Sequence, residues 1–239
     1  MDSTAVSKPH MLRRVFVWEL PVRYYHWINA GCILVLIATG FIIGNPPAIM
    51  TSREAWSSYW FGTTRFIHFV AAYIFLFNFL FRLYWGFVGN KYANWKNFIP
   101  TNRQFFKDMW NILKSDIFMT KGFNIHTIGH NRLAGFIYFI MFLAFGVQCI
   151  TGFGLYSAMS DWWLPDLFTW VPTLLGGDFM VRTIHHWATW FFILFTVIHV
   201  YLVFYHDYVE GHGEISSMGG GWKFIDEETF QKNKEKEVK

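Results

Sequence analysis

The fold of this protein is decided by one long apolar stretch, which reads TIHHWATWFFILFTVIHVYLVFYH from Thr183 to His206. The stretch contains no Asp, Glu, Lys or Arg, and it is long enough to cross a bilayer as a single helix. It nevertheless carries four histidines, and a polar ring inside a membrane span needs a partner. We therefore interpret these histidines as candidate functional residues.

The spacing of the histidines separates them. At ~100° per residue, His185 and His199 lie within ~40° of each other on one helix face, whereas His186 and His199 differ by ~140°. The interval between His185 and His199 corresponds to ~21 Å along the helix axis, which places one near each membrane surface. Two imidazoles this far apart indicate two separate centres, for which haem is the best candidate. The alternative is that each is a lone histidine bonded to backbone or water.

The composition of the chain indicates a membrane protein. Of its 239 residues, 54% are hydrophobic, 22% aromatic and only 15% charged, which is too apolar for an ordinary soluble domain. The net charge of +4 is modest and the basic residues lie beside the apolar segments, which argues against nucleic acid as a partner. The two cysteines, Cys32 and Cys149, form no haem-attachment or zinc pattern, so any haem is non-covalent and b-type.

Four nearly uncharged segments predict four transmembrane helices. We place them at about residues 24–44, 66–88, 133–160 and 183–206. These spans lie in a transmembrane domain of residues 24–208, preceded by a cytoplasmic segment of residues 1–23 and followed by a cytoplasmic tail of residues 209–239. Arg82, near the end of the second span, is expected to extend to the lipid headgroups.

The distribution of Lys and Arg predicts the orientation of these spans. Basic residues are concentrated before the first span and between the second and third spans. The first connecting loop has few of them, and residues 161–178 have none. Because basic residues are retained in the cytoplasm, both termini and the middle loop are expected there. The predicted fold is an all-α, four-helix transmembrane bundle with both termini inside.

Depth in the membrane then pairs the histidines of different spans. His26 lies at the cytoplasmic start of the first span, and His68 lies at the outer start of the second. The fourth span begins outside, so His185 is outer and His199 is inner. We therefore predict two bis-histidine haems, one between His68 and His185 and one between His26 and His199. With both axial positions filled, such haems are suited to one-electron transfer.

Other polar residues near these centres carry two interpretations each. Arg65 lies one turn before His68 and suits a haem propionate, or it serves as an interfacial anchor. His130 and Asn131 precede the third span at the depth of the inner haem, where they suit a quinone headgroup or plain surface. We expect His186 to lie away from the haem sites, where it caps a helix, bonds backbone or meets water. We find no internal repeat.

The loop between the third and fourth spans, residues 161–172, is rich in tryptophan. Tryptophan belts normally mark the interface between membrane and water. The alternative is a docking surface for an outer protein partner near the outer haem, and the sequence leaves both interpretations open.

Several stretches resemble the b-type cytochrome subunit of membrane-bound nickel-iron hydrogenases. The resemblance extends from about residue 15 to about residue 225, and the stretches at 84–90 and 151–157 point to the hydrogenase branch. The two histidines of the fourth span are shared with a wider group that includes formate dehydrogenase cytochrome subunits. The other matching motifs are Pro21-Val22-Arg23 with His26-Trp27, Thr39-Gly40-Phe41, Arg65-Phe66-Ile67-His68-Phe69, Gly129-His130-Asn131 and His199-Val200-Tyr201.

The resemblance implies a specific function. In that family the four matching histidines bind two haems b, and the subunit lies in the bacterial cytoplasmic membrane as a multi-pass protein. It anchors the hydrogenase and passes electrons from the iron-sulfur small subunit to the quinone pool. Hydrogen would be oxidised on the nickel-iron large subunit, since this chain lacks the cysteines of a hydrogen-activating site. One departure is Arg132, where family members often have proline after Gly-His-Asn.

Two alternative functions use the same sequence features differently. A cytochrome b subunit of a formate dehydrogenase, or of a related quinone-linked oxidoreductase, would keep both haems and change the protein partner. A haem-free membrane anchor would have histidines whose depths do not match. The matched depths of the two pairs therefore favour the electron carrier.

Overall fold

The computed structural model describes residues 12–47, 59–100, 103–118, 128–129 and 132–238, and these residues are mostly helical. In chain order the helices and strands are β1 (Leu12–Phe16), α1 (Leu20–Gly44), α2 (Trp60–Val88), α3 (Arg103–Phe118), α4 (Arg132–Ser157), α5 (Trp163–Asp166), α6 (Trp170–Leu175), α7 (Asp178–Glu210), α8 (Glu214–Gly220), β2 (Trp222–Asp226) and α9 (Glu227–Val238). A short 3₁₀ helix at Trp95–Asn97 lies between α2 and α3.

Four of these helices are long and apolar enough to cross a membrane. They are α1, α2, α4 and the Asp178–Tyr208 part of α7. The prediction of four apolar helices is confirmed, although α2 and α7 begin earlier than the uncharged segments at 66 and 183. A charged side chain does not end a helix, because the helix is continued by backbone hydrogen bonds.

The ends of α1 and α7 follow from residues that cannot continue a helix. After Gly44, Asn45 donates its backbone N–H to Phe41 O at 2.9 Å, and two prolines follow that lack an N–H. At the end of α7, Gly211 adopts a φ of 66° and donates its N–H to Asp207 O at 3.1 Å. A glycine in this left-handed conformation is a frequent helix terminator.

The chain forms two compact units. The first contains the described parts of Met1–Arg23, Gly89–Ile137 and Leu202–Lys239, and the second contains those of Tyr24–Val88 and Tyr138–Tyr201. The core of the second unit is aromatic, with Phe145 stacked on Phe192 at 5.2 Å between ring centroids. The buried residues of this core are Cys32, Phe75, Leu76, Phe79, Met141, Phe145, Cys149, Phe153 and Phe192.

Arg82 lies inside the second unit, with only 4% of its surface exposed. Its guanidinium carbon lies 5.5 Å from the centroid of the Phe142 ring and 6.0 Å from that of the Tyr25 ring. The expectation that Arg82 extends to the headgroups is therefore wrong. Aromatic faces attract cations, so the charge is held within the helices.

The first unit contains a two-stranded antiparallel sheet that the all-α prediction omitted. Strands β1 and β2 pair from Leu12 opposite Asp226 to Phe16 opposite Trp222. Next to them, Trp18 Nε1 donates to Ser217 Oγ at 3.2 Å. The residues expected to form only a tail thus contain α8, β2 and α9. Short strands from opposite ends of a chain leave little sequence signal, since each is only five residues long.

Replacement of Gly154 by alanine should destabilise the protein, because a Cβ there would lie 2.8 Å from the Cβ of the fully buried Val171. Overpacking of this kind costs about 1–3 kcal/mol. A Cβ on Gly146 of the same helix would meet no atom of the described residues within 4 Å, so Gly146→Ala is a matched control that should not lower stability. Thermal unfolding of the detergent-purified variants measures both, and equal midpoints for the two would contradict the packing described.

Candidate functional site

A cavity of ≈ 430 Å³ lies among α1, α2, α4 and α7 within the second unit. This volume falls in the range of about 300–1,000 Å³ that ligand pockets occupy. Three histidines, His68, His185 and His186, and two arginines, Arg65 and Arg182, contribute to an otherwise mostly apolar wall. The structure thus brings His68 and His185 to one cavity, which suits a large apolar ligand that carries acidic groups.

Each of two cavity histidines is held by a threonine from a neighbouring helix. His68 Nδ1 lies 2.8 Å from Thr39 Oγ1, and His185 Nδ1 lies 2.9 Å from Thr151 Oγ1. Each hydroxyl also lies close to the carbonyl oxygen four residues earlier in its own helix. Thr39 Oγ1 lies 2.6 Å from Val35 O, and Thr151 Oγ1 lies 2.7 Å from Val147 O. A carbonyl only accepts, so each hydroxyl donates to the carbonyl and accepts from the ring N–H. Nδ1 is therefore protonated in both rings, and Nε2 carries the lone pair.

A glycine follows each of these threonines, and Gly152 leaves room for the ring of His185. A Cβ on Gly152 would lie 3.0 Å from Cε1 of His185, closer than ordinary contact, whereas a Cβ on Gly40 would lie 3.5 Å from Cε1 of His68, in ordinary contact. The triplet Thr-Gly-Phe, at 39–41 and again at 151–153, thus supplies a hydroxyl at both histidines and needed space at His185. Both triplets belong to the stretches that resemble hydrogenase cytochrome subunits, and their contacts with the histidines depend on how the helices pack.

Two arginines of the cavity wall share one spacing. Arg65 precedes His68 by three residues, and Arg182 precedes His185 by three residues. Residues three apart lie on the same helix face, and both guanidinium groups line the cavity. Arg65 Nη2 also donates to the sulfur of Met159 at 2.5 Å. Arg182 was missed from the sequence, and the repeated Arg-x-x-His spacing is the signal that would have identified it.

His186 also lies in the cavity wall, contrary to our expectation that it lies away from the site. A Cβ on Gly44 would lie 2.6 Å from Cε1 of His186, so the ring packs closely against the end of α1. Neighbouring residues of a helix point ~100° apart, and the cavity is wide enough to be reached from both directions. Helical phase alone therefore does not exclude a residue from a broad cavity.

Gln148 is a further cavity residue that the sequence did not indicate. Its Nε2 donates to His185 Nε2 at 3.2 Å and to Thr189 Oγ1 at 3.3 Å. Its buried Oε1 has no hydrogen-bond partner among the residues that the structure describes. A metal bound to His185 Nε2 would use the lone pair to which this amide donates, so the hydrogen bond from Gln148 would be lost.

The second predicted pair, His26 and His199, is also brought together in the second unit. Their ring centroids lie 6.3 Å apart, and the planes are tilted by 54°. Phe195 stacks on the His199 ring at 5.3 Å between centroids. The separation exceeds ring contact and leaves room for one metal atom, since imidazole nitrogens bind metals at about 2.0–2.1 Å. His130 and Asn131 lie outside the described residues.

The donor set of both pairs fits haem iron. Within the described ranges, no group of three or more His, Cys, Asp or Glu could hold a metal ion. Two imidazoles supply only two of the nitrogen ligands that an iron takes, and a porphyrin would supply four more. The apolar wall and the two arginines of the cavity fit the porphyrin edge and its propionates, respectively.

Comparison with known proteins identifies similar chains over nearly the whole length. The family model described as prokaryotic cytochrome b561 matches residues 17–221. A Cupriavidus necator protein is 36% identical, covering 93% of this chain and 92% of its own. An Azotobacter vinelandii protein is 38% identical, and the alignment covers 88% of this chain and 89% of that protein. An Escherichia coli strain K12 protein is 33% identical, and the alignment covers 87% of this chain and 90% of that protein. The first two are named probable Ni/Fe-hydrogenase B-type cytochrome subunits, and the third carries that name for hydrogenase 1.

Proposed function

The chain belongs to the prokaryotic cytochrome b561 family, and on this premise we propose that it is the membrane subunit through which a nickel-iron hydrogenase delivers electrons to quinone. Family membership confirms the resemblance found in the sequence motifs. The observation that carries the proposal is the placement of four histidines as two pairs within apolar helices. The names of the relatives favour a hydrogenase over a formate dehydrogenase as the partner.

The four paired histidines would hold two haems b through their ring nitrogens. His68 and His185 would bind one iron, and His26 and His199 would bind the other. Each haem, when bound, supplies an iron that gains or loses one electron. The protonated Nδ1 atoms of His68 and His185 support this assignment, because they leave the Nε2 lone pairs for the metal. Both haems would be non-covalent.

Arg65 and Arg182 would orient the haem of the cavity. Both guanidinium groups line the same cavity as His68 and His185. Guanidinium binds carboxylate through paired hydrogen bonds, and a haem carries two propionates. The second arginine supports the choice of propionate partner for Arg65 over that of interfacial anchor. His186, in the same wall, is a neighbour of the haem and not a ligand in this assignment.

The proposed setting is the bacterial cytoplasmic membrane, with four spans and both termini in the cytoplasm. The protein partners are the iron-sulfur small subunit and, through it, the nickel-iron large subunit that oxidises hydrogen. His130 and Asn131 would hydrogen-bond the quinone headgroup near the cytoplasmic face. The Lys and Arg bias of the connecting segments supports this orientation.

Purification of the untagged complex under mild detergent tests the proposed partner. We expect mass spectrometry to identify an iron-sulfur subunit and a nickel-iron subunit, and the pyridine haemochrome assay to give two haems b for each copy of this chain. Recovery of a molybdenum or tungsten formate-oxidising subunit would overturn the choice of partner. Absence of haem from the intact complex would overturn the electron-transfer function.

Double substitutions test the histidine pairing. Each of the four paired histidines, replaced singly by alanine, should remove one of the two low-spin haem signals in electron paramagnetic resonance. His68→Ala combined with His185→Ala should still leave one signal, whereas His68→Ala combined with His26→Ala should leave none. His186→Ala is the matched control and should leave both. A different pattern of surviving signals would show that the pairs are wrongly assigned.

His130→Ala should slow quinone reduction while both haem spectra stay unchanged, because the substitution removes a hydrogen-bond donor to quinone and leaves the axial ligands in place. Stopped-flow reduction of a soluble quinone by the hydrogen-reduced complex measures the rate. His212→Ala, in the last part of the chain, is a control that keeps the wild-type rate. An unchanged rate in the His130 variant would favour the alternative interpretation of His130 as a plain surface residue.

A further inference from the structure

The two histidine pairs differ in what their Nδ1 atoms contact. His68 and His185 each donate Nδ1–H to a threonine hydroxyl, at 2.8 and 2.9 Å. The Nδ1 of His26 is buried and has no hydrogen-bond partner within the described part of the chain. The first pair is therefore hydrogen-bonded on both sides, while the second pair is not.

We propose that Thr39 and Thr151 are positioning residues that lower the reduction potential of the haem held by His68 and His185. This inference rests on the proposed function, because it requires haem at that pair. A hydrogen bond donated from Nδ1–H makes the imidazole a stronger electron donor to the metal. A stronger donor stabilises oxidised iron over reduced iron, so the potential falls.

The threonine hydroxyls are rigid acceptors. Thr39 is 8% exposed and Thr151 is 2% exposed, so water does not replace either bond. Each hydroxyl proton is engaged by a carbonyl of its own helix at 2.6 or 2.7 Å, which leaves a lone pair directed at the histidine. Gly152, which follows Thr151, lets the ring of His185 approach closely. The arrangement of hydroxyl and carbonyl occurs twice, so both histidines that line the cavity have the same tautomer, with the lone pair on Nε2.

The difference between the pairs has a consequence for electron transfer. The haem held by His68 and His185 would have a potential lowered by two hydrogen bonds, and the haem held by His26 and His199 would lack this effect at His26. One electron would then leave reduced iron of the first haem and reduce oxidised iron of the second, with no bond formed or broken. The threonines would thus favour electron transfer from the first pair to the second.

Isosteric substitution separates the hydrogen bond from the packing. Thr39→Val and Thr151→Val keep the side-chain shape and remove the acceptor, whereas Thr39→Ser and Thr151→Ser keep a hydroxyl. Thr196→Val is the matched control, because Thr196 lies on α7 and, among the described residues, its hydroxyl bonds Phe192 O of its own helix, 2.8 Å away. Potentiometric titration of the haem spectra in the purified complex measures each midpoint.

Each valine substitution should raise the midpoint potential of the haem held by His68 and His185 and leave the midpoint potential of the other haem unchanged. The expected change in the reduction equilibrium is between about twofold and tenfold for each hydrogen bond, and tenfold corresponds to ~59 mV for one electron. The double valine variant should shift further, the serine variants should return toward wild type, and Thr196→Val should not shift. A valine variant can also lose the haem held by His68 and His185 while it keeps the other haem, which shows that the fold is intact. If the serine variant retains both haems, this loss also supports a role of the threonine in positioning the histidine.

Two results would overturn this inference. Unshifted midpoints in both valine variants with two haems bound would remove the role of the threonines and leave the proposed function intact. Equal shifts of the midpoint potentials of both haems would also overturn the inference, because a general structural change would then explain the shifts. A wild-type complex without haem would instead overturn the proposed function itself, so the two failures are distinguishable.

Discussion

A histidine ring inside an apolar helix can find hydrogen-bond partners only within the protein, because hydrocarbon provides none. Thr39 and Thr151 supply those partners to His68 and His185 from neighbouring helices. Hydrogen bonds between apolar helices contribute about 0.6–2 kcal/mol each. These two join α1 to α2 and α4 to α7, so they connect all four helices of the cavity in pairs. The tautomer of each ring follows from the same two contacts.

Glycines lie where two histidine rings of the cavity approach neighbouring helices. A Cβ on Gly152 would crowd the ring of His185, a Cβ on Gly40 would only contact the ring of His68, and the aromatic core around Phe145 packs the helices elsewhere. The same helix positions that hold the rings also place Arg65 and Arg182 one turn away. Two short patterns, Thr-Gly-Phe on α1 and α4 and Arg-x-x-His on α2 and α7, thus each occur on both sides of the site.

The second pair is built differently. His26 and His199 are surrounded by aromatic rings, with Trp27 edge-on to His26 at 5.0 Å and Phe195 stacked on His199. Ring packing orients an imidazole without engaging its nitrogen atoms. The two pairs are therefore chemically unequal although each consists of two histidines, and such inequality suits centres that exchange an electron in one direction.

The sequence by itself determined the four apolar helices, because the length of an apolar segment is a local property that needs no knowledge of contacts. It also indicated which histidines to compare, since depth along a helix is proportional to residue number. Only the tertiary structure decided the lateral contacts: the threonines at Nδ1, Arg182 and His186 in the cavity wall, and Arg82 held among aromatic rings. These lateral contacts depend on how the helices rotate and pack against one another. The pairing of β1 with β2 likewise depends on two segments far apart in the sequence that meet only after folding.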